Sequence, residues 1–428
     1  MRSSSKRGPL RKRMVAGCLF AATLVPSWAS AEEAASNPQP APPPAGGGGQ
    51  EPAVAAQATM PQPTASPPPP AMPPAMVATM PPAPAPDMPL KLEPTPIKTV
   101  FGLRVGGRIQ GSGDPSKLND ISLDTLYLEA RFSGALNKYF AWQANFNGNA
   151  KPAATSGPAS IMDLIVKADA DDAFHVWAGR LLVPSDRSNF SGPFFISPWN
   201  YPGVYSVGAA GGFIGPKTGA TGSDDGAVVW GQFVGGKAKY FLGAFNLDNV
   251  KQSPLYSGRV NIALLGAEPG FWGSSTYYGD KDVVAIGGGY QYQKSGSGTI
   301  DPATLNGNVN LNIVMGDLLA EKNVPGVGTI SLEGTYYHFD NGQPAKQAFY
   351  LLASFLTADY IGVGKLQPLV RWQQTSPQAG GTRWTMLDAF LTYVIYGYNL
   401  KLTGGYQRTD LGNSVVGNAI QVGFQMQE

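Results

Sequence analysis

The sequence predicts an all-β protein, a transmembrane antiparallel β-barrel of about 16 strands with a long loop after strand 5 folded into the lumen. Three observations predict it. From Val100 onward, short segments alternate apolar and polar residues with the period of two that a strand imposes. The early connections between them run long, short, long, short, as in barrels with tight turns at one rim and longer loops at the other. The stretch from Gly179 to about Asp225, beginning GRLLVPSDRSNFSGPFFISPWNYPGV, is too long and too aromatic for an ordinary solvated loop.

Two segments precede the barrel. Residues 1–31 read as a secretory signal: Arg2, Lys6, Arg7, Arg11, Lys12 and Arg13 come before the apolar run from Met14 to Val25, and Ala29-Ser30-Ala31 suits cleavage. Cys18, the one cysteine of the 428-residue chain, sits early in that run and reads as an apolar signal residue rather than a lipidation site. The exported chain then has no cysteine and no disulfide to lean on. Residues 32–97 read as a disordered periplasmic linker, because 21 of the 65 residues from Glu32 to Pro96 are proline and much of the rest is alanine. Extended proline-rich chain rises about 3.1 Å per residue, so its reach is on the order of 200 Å. A plain spacer and a cell-wall contact are both open to it. Residues 98–428 form the barrel, and no stretch there reaches the 18 consecutive apolar residues of a helical span.

Charge excludes one class of partner. The chain carries 31 basic and 29 acidic residues; without the seven basic and five acidic residues before Ile97, 24 of each remain. A formally neutral barrel has no basic face for nucleic acid.

The strands follow in order. FGLRVGGRIQ sets Phe101, Leu103, Val105 and Ile109 against Arg104, Arg108 and Gln110. DTLYLEARF, YFAWQANFNGN, IMDLIVKADA and FHVWAGRLLV continue the alternation and deliver the chain to the long loop. There Pro184, Pro193, Pro198, Pro202 and repeated glycines disfavour helix and ladder alike. AVVWGQF, YFLGAFN and RVNIALLG come next. The connection AEPGFWGSSTYYGDK should be short by the alternation rule and is not. VVAIGGGYQYQ, VNLNIVMGD, TISLEGTYYHF, FYLLASF, KLQPLVRWQQ, LDAFLTYVIYG, LKLTGGYQR and NAIQVGFQMQ complete sixteen strands, with Pro368 marking a bulge or a local break in pairing. Each strand with its connection then takes roughly 21 residues, and counts of fourteen or eighteen fit the pattern too.

The strings FGLRVGGRIQ, DTLYLEARF, IMDLIVKAD with AGRLLVPSD, YSGRVNIAL, GKLQPLVRWQQ and YVIYGYNLKLTGGYQ, taken in order, resemble the phosphate-selective porin family (porins O and P) of Gram-negative outer membranes. The resemblance implies a 16-stranded, homotrimeric outer-membrane porin whose pore is narrowed by the loop after the fifth strand. The chain departs from the family in two ways. Phe424 is followed by QMQE, and the neutral barrel lacks the many basic pore residues of phosphate-selective members, whose anion-binding positions therefore have no assigned counterparts here.

A lipid-facing Arg or Lys near the midplane costs about 2–4 kcal/mol, so cations in alternating strands are expected inside. Parity assigns Arg104, Arg108, Arg131, Lys167, Arg180, Arg259, Arg371 and Lys401 to the pore lining, with Glu129, Asp163, Asp169 and Glu333 on the same faces. Asp186, Arg187, Phe190, Phe194, Phe195, Trp199 and Tyr201 are the expected constriction residues. These charges either pair structurally or, with Arg180, Asp186 and Arg187 at the loop's root, set a field across the pore. No catalytic or metal constellation emerges: His175 and His338 are the two histidines, and Ser191 lies in NFSGP, without the G-x-S-x-G form. The function expected is passive diffusion of small hydrophilic solutes or ions, anions such as phosphate included, with outer-membrane lipid around the barrel and no cofactor. The alternative is a closed structural barrel tethering the outer membrane to the cell wall.

Overall fold

The computed structural model describes residues 93–111, 117–149, 159–205, 216–218, 222–247, 252–301, 306–340, 342–343, 345–378 and 381–428. The signal segment with Cys18, and the linker as far as residue 92, lie outside the described residues.

All sixteen alternating segments are strands. β1 (Lys98–Gln110), β2 (Asp120–Ala135), β3 (Phe140–Asn149), β4 (Ala159–Asp171) and β5 (Phe174–Leu182) precede the long connection. β6 (Ser223–Phe233), β7 (Ala238–Phe245), β8 (Leu255–Leu265), β9 (Val283–Ile300), β10 (Gly307–Val324) and β11 (Gly328–Phe339) follow it. β12 (Ala345–Thr357), β13 (Lys365–Pro377), β14 (Trp384–Tyr396), β15 (Leu400–Leu411) and β16 (Ser414–Gln427) complete the chain. Each strand pairs antiparallel with its sequence neighbours, and β1 closes on β16 from Gly102↔Gln427 to Gln110↔Ala419, so the ring has no free edge. Closure satisfies the backbone groups without water, the condition for a sheet to stand in hydrocarbon.

The alternation is inside out. Leu164, Val166, Leu242, Val260, Ile262, Leu351, Val370 and Val422 are exposed, whereas Arg104, Glu129, Asp163, Arg259, Gln291, Asp317, Glu333, Arg371, Lys401 and Gln425, of the opposite parity, are buried. A closed antiparallel barrel with an apolar outside and a polar inside is the architecture of a Gram-negative outer-membrane protein. One rim carries the tight connections 136–139, 172–173, 234–237, 325–327 and 397–399. The opposite rim carries the β5–β6 connection, residues 183–222. Residues 266–282, between β8 and β9, are the long exception at the tight rim.

Two local features sharpen the expectations. The β12–β13 ladder stops at Leu369, so Pro368 falls where β13 pairs with β14 alone and its missing N–H costs no ladder bond. The last linker residues already join the barrel, Glu93 N donating to Leu136 O at 2.8 Å and Thr95 N to Ala135 O at 2.9 Å.

Val260 lies mid-strand in β8 and is 54% exposed. Val260→Arg should lower the unfolding free energy in lipid vesicles by about 2–4 kcal/mol, read from urea-dependent loss of the heat-modifiable gel band. An unchanged midpoint would mean that Val260 does not face lipid.

Candidate functional site

The β5–β6 connection leaves the sheet for identifiable reasons. Val183 N makes a last ladder-like bond to Gly222 O at 3.1 Å, and Pro184 then has no N–H to continue. Asp186 caps the single-turn helix α1 (Arg187–Ser191) by accepting from Asn189 N at 3.4 Å, and Gly192, at φ 66°, ends it. Asn189 Nδ2 ties that turn to the neck of the connection through Val183 O at 2.9 Å and Gly222 O at 3.2 Å.

On both sides of the turn, the backbone carbonyls find donors on strands around the ring. Ser257 Oγ donates to Pro184 O, Arg259 to Ser185 O at 2.8 Å, Gln425 to Phe194 O at 3.0 Å and Lys401 to Ile196 O at 3.0 Å. Arg104 donates to Trp199 O at 2.6 Å, and Arg371 to Asn200 O at 2.9 Å and Tyr201 O at 3.3 Å. These donors come from β8, β16, β15, β1 and β13, each from the buried parity. Glycines make room for the aromatics: a Cβ on Gly106 or Gly423 would stand 2.9 or 2.6 Å from the Trp199 indole, and one on Gly102 would collide with Phe194. Trp199 also receives the Arg104 guanidinium 4.2 Å from its ring centre.

A second segment, residues 266–282, meets the first from the opposite rim. Arg187 forms a two-pronged pair with Glu268, both contacts 2.8 Å, and donates to Ser274 O at 2.9 Å. Gly273 N and Ser275 N donate to Phe190 O and Phe195 O, each at 3.1 Å. Glu321 accepts from Thr276 Oγ1 at 2.6 Å and from the amides of Tyr277 and Gly279 at 3.0 and 2.9 Å, while Ser275 Oγ donates to Glu333. Burial alone would raise the Glu268 carboxyl, but the Arg187 guanidinium overrides it and holds the group well below the usual carboxylate range. Burial pushes the Lys281 ammonium down.

The sequence-derived residues sort into groups. Arg104, Arg259, Arg371, Lys401, Phe190, Phe194, Trp199 and Tyr201 gather where the first segment meets the strands. Arg259 also pairs with Asp317 at 2.5 Å, and Arg371 with Asp388 at 2.8 Å. Phe195 packs on Tyr398, ring centres 4.9 Å apart. Arg131 pairs with Glu129 at 2.6 Å, Lys167 donates to Gln143 at 2.9 Å over the Trp177 ring, and Arg108 donates to Gln407 at 3.2 Å. His175 Nδ1 lies 2.7 Å from Asp169, its ring stacked on Trp230.

Two expectations need correction. Arg180 is not on the enclosed face: it stands opposite Leu164, 53% exposed, and opposite Asp225, its ion-pair partner at 2.6 Å, so it shares their outward parity. Asp186 and Arg187 sit at the loop's root but are 0% and 2% exposed, the first accepting from Tyr337 Oη and the second clamped to Glu268. They cannot act with Arg180 as an open field across a pore.

Between the two segments and the β2–β4 wall lies a cavity of about 360 Å³. Glu129, Arg131, Asn145 and Asp163 line one side, Phe194, Phe195 and Tyr201 come from the first segment, and Glu268, Trp272 and Lys281 from the second. Sequence reasoning missed Asn145 and the second segment, although its excess length and its aromatics Phe271, Trp272, Tyr277 and Tyr278 were a signal.

No protein-family model matches the chain, and no curated protein matches its sequence. Among solved structures, the fold is similar to Salmonella typhi OmpF in complex with daunomycin, with a TM-score of 0.53 and 13% identity over 78% of this chain and 97% of that one. It is also similar to an anion-selective porin from Comamonas acidovorans, at a TM-score of 0.52 and 14% identity, covering 78% of this chain and all 100% of the other. A loop-deletion mutant of OmpT, an outer-membrane protein of Vibrio cholerae, gives 0.50 and 14% identity over 78% and 99%. At such identity the likeness is one of fold.

Glu268→Gln should leave the buried Arg187 guanidinium with Asp317 alone as carboxylate partner, 3.8 Å away, and lower the urea midpoint in vesicles at pH 7. Because the Glu268 carboxyl titrates below its unfolded value, its contribution is complete above the ordinary carboxylate pKa of about 4.3 and is lost only as pH falls through the lower folded value. The native protein should therefore keep this contribution from pH 7 down through about 4.3, whereas the variant lacks it throughout that range. Equal midpoints at pH 7 would exclude a stabilising role for the Arg187–Glu268 pair.

Proposed function

We propose that the chain forms a water-filled, non-catalytic channel through the outer membrane for passive diffusion of small hydrophilic solutes and ions. Its pore is narrowed by residues 183–205 acting with residues 266–282. The observation that carries this reading is the set of donors on β1, β8, β13, β15 and β16, all of buried parity, that hold the carbonyls of one segment. Partners on so many sides of a closed ring are what a chain crossing its interior would have. The phosphate preference that goes with the resemblance has less behind it, since Arg104, Arg259, Arg371 and Lys401 are engaged by carbonyls and carboxylates. Size and the cavity's own charges then govern passage.

The contact between the two segments, Gly273 and Ser275 against Phe190 and Phe195, favours a closed structural barrel as the second reading. Planar-bilayer recording separates the two. A channel gives reproducible conductance steps from heat-modifiable protein, and their consistent absence would leave the closed barrel. Deleting Asn189–Gly212 should raise unit conductance, whereas an unchanged value would remove the first segment from the pore. Homotrimeric assembly, implied by the resemblance, and a cell-wall contact through the proline-rich segment belong to the same proposal. Cross-linking of the intact protein in vesicles should stop at three copies, and ladders that end at one would dismiss the trimer.

A further inference from the structure

One wall of the 360 Å³ cavity gathers oxygen atoms from three adjacent strands. In register, Arg131 of β2 faces Asn145 of β3, which faces Asp163 of β4. Asn145 Nδ2 donates to Glu129 Oε1 at 3.0 Å and to Asp163 Oδ2 at 3.4 Å. Two carboxylate acceptors on that side fix the orientation of the amide. Its Oδ1 is consequently left without any donor, although Asn145 is only 3% exposed. A buried acceptor left unmet is costly, and Asn145 is a lining residue of the cavity from which a donor would come.

The charges on this wall ask for the same thing. Glu129 is paired with Arg131 at 2.6 Å, but among the described residues Asp163 accepts only from Ser223 Oγ at 2.8 Å and Asn145, and forms no ion pair. Lys167, on the same face of β4, is turned to Gln143 and lies over the Trp177 ring at 4.0 Å. Lys281 lines the cavity from the second segment, but its ammonium donates to Ala267 O and rests 3.9 Å from the Tyr277 ring centre. Two carboxyl groups against one guanidinium thus stand beside an acceptor that lacks a donor among the described residues. Facing them are Pro193, Phe194 and Trp272, which offer apolar surface.

We propose that this wall is a binding subsite for the ammonium group of amphipathic organic cations, whose apolar body lies against Phe194 and Trp272. A primary ammonium brings three donors to a wall of oxygen acceptors, and a small inorganic cation would leave the apolar wall unused. The volume falls within the roughly 300–1,000 Å³ of small-molecule sites. The subsite deepens the channel reading and rests on it.

The test uses the full chain in planar bilayers in potassium chloride, with 2-phenylethylamine as the probe and phenylacetate as the control of similar size and opposite charge. The amine should block the current in a concentration-dependent manner, with phenylacetate at least about tenfold weaker. Asp163→Asn should weaken the block by about tenfold, and Asn145→Asp, which adds a further carboxyl group, should strengthen it, with folding of each variant checked by heat-modifiable migration. Equal block by phenylacetate, or variants with unaltered block, would overturn the subsite. If no protein conducts, the channel reading fails, and calorimetric titration of the same amine into the folded protein in detergent still decides the subsite. Saturable binding weakened by Asp163→Asn supports it, and no binding overturns it.

Discussion

Residues 184–203 carry prolines and no ladder, yet most of them are buried, so their carbonyls need donors from elsewhere. Arg104, Arg259, Arg371, Lys401 and Gln425 supply them. Everything else about the interior follows from that constraint. Most of the donors are long, because they cross from a strand to a chain that is not part of the sheet, Ser257 beside Pro184 being the short one. They must be strong enough to offset desolvation, which favours charged over neutral groups. The positions beneath the segment's aromatics must be small, which is why glycine occupies 102, 106 and 423.

An arginine engaged in this way is not available to a passing anion. Arg371 divides its guanidinium between Asp388 and two carbonyls, and Arg259 between Asp317 and one. A count of inward cations therefore overstates the positive charge a solute would meet. The cavity wall instead presents two carboxyl groups, Glu129 and Asp163, beside one guanidinium, Arg131.

The strands were legible because period-two alternation is local and repeats along residues 98–427. The enclosed face was legible too, since burying a charge in lipid is expensive enough to impose parity on Arg104, Arg131, Arg259, Arg371 and Lys401 alike. Arg180 escaped that logic for two reasons. The lipid penalty falls to about 0–1 kcal/mol near a membrane interface, and Arg180 is close to the strand end at Leu182. Asp225, a partner invisible to a strand-by-strand reading, also stands opposite it. The same blindness hid the second segment. AEPGFWGSSTYYGDK violated the expected turn length, but Glu268 finds its reason in Arg187, 81 residues away, a contact that no local pattern encodes.

The interior is also divided, and the division bears on where a solute can go. Trp177, Trp230, Phe241, Phe271 and Phe190 pack in mutual contact, with ring centres 4.6 Å apart for Trp177 and Phe271 and 4.8 Å for Phe190 and Phe241. That cluster makes the β5–β7 side an aromatic core. β2, β3 and β4 instead present Glu129, Asn145 and Asp163 to the cavity. The first segment joins the two sides, with Phe190 in the aromatic core and Phe194 at the edge of the cavity. Phe194, Phe195 and Tyr201 of the same segment line the cavity across from the β2–β4 wall, with the Phe194 ring centre 5.9 Å from the Tyr127 ring centre of β2. The proposed passage runs beside the wall where the unmet acceptor and the two carboxyl groups coincide.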